Sequence, residues 1–345
     1  MRKKSGLIGL FVVALSVATA GCSKDSDSSN TEQTLVENFK ALVLGGKDID
    51  SLQTWSTAKG VTVKVNVNFD DTNEYPVYIL PANPANTTDV AYLGMVRVLS
   101  GSSKTISIAC PVAKSQLYAA CYNSKGQVII MPFVVDATTV EITINGAWSS
   151  NTMEEPLPNC IYYAFETPSG TFRDFDYNDV VLRVGALTER EEGNFVSNIQ
   201  IMCIGNSLKT TLLYKGDPLG DELHSVIGVS TTQTANVSNV TRVFAKVGEL
   251  TFSDGSTRID QLDFSLMAED SDGNKWTLHN GEAPLYIVVN GNDQRQWFWP
   301  SDGFNIGVAY PHFSSWASNR LTAIDWYDSS NAATSKVVKW TADDE

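Results

Sequence analysis

Three aspartates and an asparagine fall within residues 174–179, in the stretch FRDFDYNDVVLRV, and a strand-like apolar run follows at once. Asp174, Asp176 and Asn178 alternate, so an extended or gently curled backbone turns their oxygens to one side. Oxygen donors at alternate positions are how calcium loops begin. An EF-hand would continue with glycine at the sixth position and glutamate at the twelfth, but those positions hold Asp179 and Gly185. A bidentate carboxylate is available instead from Glu166, provided that CIYYAFE and DVVLRV pair as neighbouring strands. The competing reading is a hairpin closed by Asx-turns, with Arg173 and Arg183 neutralising the acids. Two arginines do not balance that many carboxylates, and close carboxylates beside a buried strand are costly without a cation. Calcium bound by Asp174, Asp176, Asn178, Asp179 and Glu166 is therefore the expectation. The same spacing recurs at Asp270, Asp272 and Asn274 in EDSDGNKW, where a central glycine between two strands points to a plain turn.

Other chemistry is sparse. His224, His279 and His312 are the three histidines, and none lies in a zinc-protease motif; no nucleophile elbow or phosphate-binding glycine loop is present. A non-catalytic protein is expected. The alternative is a secreted glycan-degrading enzyme using paired carboxylates, which need only flank a cleft. Trp297, Trp299, Tyr310, Phe313, Trp316, Trp326 and Tyr327 concentrate aromatic area near the end of the chain. Exposed, they could stack on a sugar or a partner. Tyr310, Phe313 and Trp316 follow a helical spacing that favours the core.

The elements that must position these groups are mostly strands. Short alternating runs begin at VTVKVNVNF and continue through YPVYIL, AYLGMVRVL, KTISIAC, QLYAACY, GQVIIMPFVV and TVEITING. After GAWSSNTMEEPLPN they resume, among them HSVIGVS, LYIVVN and FNIGVAY. One helix is expected in TEQTLVENFKALVLG, capped by Thr31, and a short one over 311–318. The fold class is all-β: two β-sandwich, jelly-roll-like domains with few short helices. The domains are expected at 34–146 and 147–345, preceded by a signal segment (1–21) and a polar tether (22–33). Cys110 and Cys121 flank a turn and are a candidate disulfide, with buried thiols as the alternative.

MRKK followed by an apolar run from Leu7 to Ala20 has the order of a secretion signal, too short to span a bilayer as a mature helix. Ala20-Gly21-Cys22 resembles the lipobox of bacterial lipoproteins, with Thr19 in place of the usual leucine. The resemblance implies lipidation at Cys22 and attachment to the outer membrane. Lys24, Asp25 and Asp27 look like the acidic export tag of Bacteroidota surface lipoproteins, which implies the cell surface; a periplasm-facing anchor is the alternative. YYAFE, DFDYNDVVLRV, WFWP, AYPHFSSWASN and IDWY resemble, in order and spacing, the LruC-type domain of outer-membrane and surface lipoproteins, over about 160–327. The family's FED reads FET here, so Thr167 replaces an acid. WSTAKGVTVKVNV resembles the sandwich domain that often precedes it. With 39 acidic against 25 basic residues, the net charge of -14 argues against nucleic acid and anionic membrane surfaces as partners. A glycan or a protein remains as the ligand class.

Overall fold

The alternation in VTVKVNVNF becomes β1 (Ala58–Val67), in which Val61, Val63, Val65 and Val67 are buried and the residues between them half-buried. It joins β2 (Glu74–Leu80), β3 (Gly94–Leu99), β4 (Ser102–Pro111), β5 (Gln116–Tyr122), β6 (Val128–Val134) and β7 (Thr139–Ile144). Strands β4, β1 and β7 form one sheet, and β3, β2, β5 and β6 run side by side in a second. The sheets pack closely: a Cβ at Gly94 would lie 2.8 Å from the Ile108 side chain. The computed structural model describes residues 28–146, 152–167, 174–236, 244–279 and 284–341, with 28–33 as backbone alone. The expected signal segment, Cys22 and the domain boundary at 146/147 therefore lie wholly or partly outside the described residues.

Beyond that boundary come β8 (Cys160–Phe165), β9 (Val180–Gly185), β10 (Leu187–Glu189), β11 (Phe195–Ile204), β12 (Lys209–Tyr214), β13 (Asp217–Pro218), β14 (Ala235–Asn236) and β15 (Lys246–Phe252). They are followed by β16 (Phe264–Glu269), β17 (Lys275–His279) and β18 (Tyr286–Asn290). A four-stranded sheet, β13-β12-β16-β17, covers the β8 side of the large sheet, where Tyr163 meets Phe264 edge-on at 5.0 Å. The architecture is thus the sandwich-like all-β one expected.

The two halves share their large sheet. It runs β18-β8-β9-β11-β10-β3-β2-β5-β6, with β14 and β15 also on β11, and the seam is the parallel pairing of β10 with β3. Glu189 at the seam is buried, with Lys104 Nζ 2.5 Å from its Oε1 and the Arg97 N–H donating to its Oε2 at 2.7 Å. A buried carboxylate so paired makes separation of the halves costly.

Helix α1 (Ser28–Val43) starts inside the stretch expected as tether and ahead of Thr31. Leu35, Phe39 and Val43 recur one turn apart on its buried side, and Phe39 lies edge-on to Trp55, Phe175 and Phe313. Two runs expected as strands are helices. HSVIGVS overlaps α2 (Leu223–Ile227), because Glu222 caps it by accepting from the Ser225 N–H and Gly228 ends it at φ 76°. FNIGVAY contains α3 (Ile306–Ala309), capped by Asn305, whose side chain accepts from the Val308 N–H. Helix α4 (Phe313–Ser318) ends at Asn319 as expected. Six of the seven terminal aromatics are buried, with Tyr327 half-buried, so they build core rather than an exposed stacking face.

The candidate Cys110–Cys121 disulfide is not formed, and the alternative of buried thiols is what the structure has. Cys110 lies on β4 and Cys121 on β5, strands of different sheets, and both are buried free thiols. Burial pushes them up to about 11 and about 12 respectively, so neither is a thiolate poised for exchange.

Candidate metal centre

Strands β8 and β9 pair antiparallel with Phe165 opposite Val180, which sets Glu166 and Asp179 at the loop end of the hairpin. The chain between them returns through 174–178. Phe175 and Tyr177 both adopt left-handed φ values, 54° and 56°. That conformation is costly for large side chains and persists only where the surroundings impose it. Here both rings are buried, Phe175 against Phe39. The same twist aims two backbone donors at one acid: the N–H groups of Phe175 and Tyr177 donate to Glu166 Oε1 and Oε2 at 3.3 and 3.2 Å.

Glu166, Asp174 and Asp176 each bring one carboxylate oxygen into a group whose members all lie within 4.8 Å of one another. Twice a calcium–oxygen distance is about 4.8 Å, so a single ion can touch all three. Glu166 and Asp176 are each only 2% exposed, whereas Asp174 is exposed and marks the open side. Among the described residues no lysine or arginine forms an ion pair with any of these acids. Arg183 sits four residues into β9 from Asp179, about 13 Å along a strand. Its guanidinium bonds Gln200 Oε1 at 3.0 and 2.7 Å and lies over the Phe244 and Trp340 rings. Arg173 lies outside the described residues.

The electrostatics follow from that crowding. Burial, then the charges of Asp179, Asp176 and Asp174, hold the Glu166 carboxyl well above its usual range. Burial, with Asp174 next, raises Asp176 to about 8. Burial raises Asp179 to about 6, against the stabilising bonds that its Oδ2 accepts from the Thr167 hydroxyl and N–H, each at 2.6 Å. A cation among them would reverse these shifts. All-oxygen donors suit a hard ion such as calcium rather than zinc.

Two of the expected ligands behave differently. Asn178 donates its Nδ2 to Asp176 Oδ2 at 2.6 Å and to the Pro300 carbonyl at 3.2 Å, so its amide nitrogen orients Asp176. Asp179 is tied to Thr167, the residue that stands where an acid was expected. Asp302, not singled out in the sequence, adds a negative charge facing both Asp176 and Asp179. Its only signal is its place two residues after Pro300 in the WFWPSDG turn. The stretch at 270–274 is a capped turn: Asp270 Oδ1 accepts from the N–H groups of Asp272 and Asn274.

Gly205, directly after β11, closes the site. Its N–H donates to the carbonyls of Asn178 and Asp179 at 3.0 and 3.1 Å, and a Cβ there would lie 2.2 Å from Asn178 Oδ1 and 2.7 Å from its backbone oxygen. Gly205→Ala should cost about 1–3 kcal/mol by overpacking and displace Asn178 from Asp176. The check is a thermal melt with and without calcium: a lower melting temperature and a smaller calcium response are expected, and an unchanged pair of melts would count against this packing.

No protein-family model matches the chain, and comparison with curated proteins finds no match. Among solved structures, one described as a "Putative lipoprotein from Bacteroides ovatus" superposes with a TM-score of 0.46 at 12% identity, covering 79% of this chain and 100% of that one.

Proposed function

We propose that the chain is a non-catalytic, lipid-anchored protein of the outer membrane or cell surface, with a binding, adhesion or structural role and a calcium ion locking its second half. The observation that carries the calcium reading is the convergence of Glu166, Asp174 and Asp176 within 4.8 Å, with Glu166 and Asp176 buried and no cationic partner among the described residues. Carboxylates that repel one another in a buried hairpin have a remedy in a hard cation with oxygen ligands. Burial also argues against using them for glycan hydrolysis, because a polysaccharide can reach only exposed Asp174.

The anchor rests on Ala20-Gly21-Cys22 and the LruC-like motifs, YYAFE through IDWY. Among the described residues no helix is long and apolar enough to cross a membrane. Cys22→Ser should abolish incorporation of labelled palmitate and release the protein from the membrane fraction or leave an unprocessed precursor. An unmodified Cys22 in the native protein, read by mass spectrometry, would overturn the assignment. Protease shaving of intact cells separates the surface from the periplasm-facing arrangement.

A further inference from the structure

A cleft of about 490 Å³ opens between segments from both halves of the chain, 84–90, 152–157 and 294–296. That volume lies within the roughly 300–1,000 Å³ of small-ligand sites. Its walls are held from the large sheet by tyrosine hydroxyls. Tyr78 donates to Glu155 Oε1 at 3.1 Å, Tyr122 donates to the Met153 carbonyl, and Tyr162 donates to the Arg295 carbonyl at 2.5 Å. Asn292 Oδ1 accepts from the Gln294 and Gln296 N–H groups at 2.9 and 3.0 Å, fixing the third wall. Asp89 and Arg295, both lining the cleft, have left-handed φ values of 58° and 76°. Burial and the neighbouring Glu155 push the Tyr78 hydroxyl up, which keeps it a donor.

The lining sets the ligand class. Asp89, Glu154 and Glu155 supply three carboxylates against the single guanidinium of Arg295. Between them lie Val90, Met153, Pro156 and Leu157, the last 59% exposed. An anionic ligand would be repelled, and among the described residues no aromatic ring lines the cleft to stack on a sugar. Lysine and arginine side chains match both features, laying an apolar stem on apolar surface while the cation reaches a carboxylate. We propose that this cleft binds a lysine- or arginine-bearing peptide segment of a partner protein. This rests on the binding role proposed above and needs neither the calcium ion nor the anchor.

The test is fluorescence anisotropy of the full chain with labelled trilysine amide, triglutamate amide and maltotriose at about 0.15 M salt. Saturable binding of trilysine alone is expected, weakened about tenfold by E154Q/E155Q and measurably by D89N, with melting temperatures unchanged. D70N/D136N removes equal charge from exposed sites elsewhere and should leave binding intact. Equal weakening by D70N/D136N would reduce the effect to diffuse charge and overturn the proposal. Maltotriose binding without trilysine binding would also overturn it while leaving a binding role, and failure of every probe would overturn it outright.

Discussion

Stripped with EDTA, the full chain should melt several degrees below its temperature in millimolar calcium, and Asp176→Asn should erase the difference. An ion that binds only the folded state, at about a hundred times its dissociation constant, adds roughly 2.7 kcal/mol. The contribution is specific to the hairpin because Glu166 and Asp176 are buried there with like charges as neighbours. Magnesium demands stricter octahedral geometry and should protect less. Asn at 176 keeps the shape but removes a charged ligand, so the variant should melt at one temperature in both conditions. Identical wild-type melts, with no metal co-purifying, would leave the stretch as a capped turn.

The second large effect is on pH dependence. Without metal, Asp176 and Asp179 are held up at about 8 and about 6, against the usual 3.8, and Glu166 well above 4.5. Each therefore binds its proton more tightly folded than unfolded. The resulting stability is fully present below about pH 4 and is lost as the pH rises through about 6 for Asp179 and about 8 for Asp176. Each unit of such a shift corresponds to about 1.4 kcal/mol. In EDTA the melting temperature should accordingly fall between about pH 5 and pH 8. In calcium the ligands must be deprotonated, so protection by the ion should grow over the same range. An EDTA melting temperature that rises over this window would contradict the buried, unneutralised cluster.

Much of this site is legible in the sequence. The apolar runs around Glu166 and Asp179 are long enough to declare strands, and their pairing is enough to bring Glu166 to the end of the acidic stretch at Asp179. What the spacing hides is the backbone twist. Simple alternation puts Asn178 beside Asp174 and Asp176, but it does not show the left-handed Phe175 and Tyr177 or the bond by which the Asn178 amide nitrogen holds Asp176. Asp302 reaches the site through the packing of a loop more than a hundred residues away, which no local pattern encodes.

The fold shows the same limit. Val61 to Val67 declares β1 because a half-buried strand alternates. Runs as short as HSVIG and NIGVA carry no decisive period, and there Glu222, Gly228 and Asn305 decide for helix through their capping bonds. The parallel pairing of Leu187 with Gly94 joins residues far apart in the chain and converts two apparent sandwiches into structures sharing one large sheet. Cys110 and Cys121 are close in sequence, yet the turn between them carries the chain from one sheet to the other, so proximity along the chain does not make a disulfide.

The most direct measurement is isothermal titration of calcium into the EDTA-stripped full chain, beside Glu166→Gln and Asp176→Asn. The cluster predicts one saturable site, with proton release that grows as the buffer pH is lowered toward the raised carboxyl values, and no such site in either variant. No heat of binding in the wild-type chain, or an equal isotherm in both variants, would contradict it.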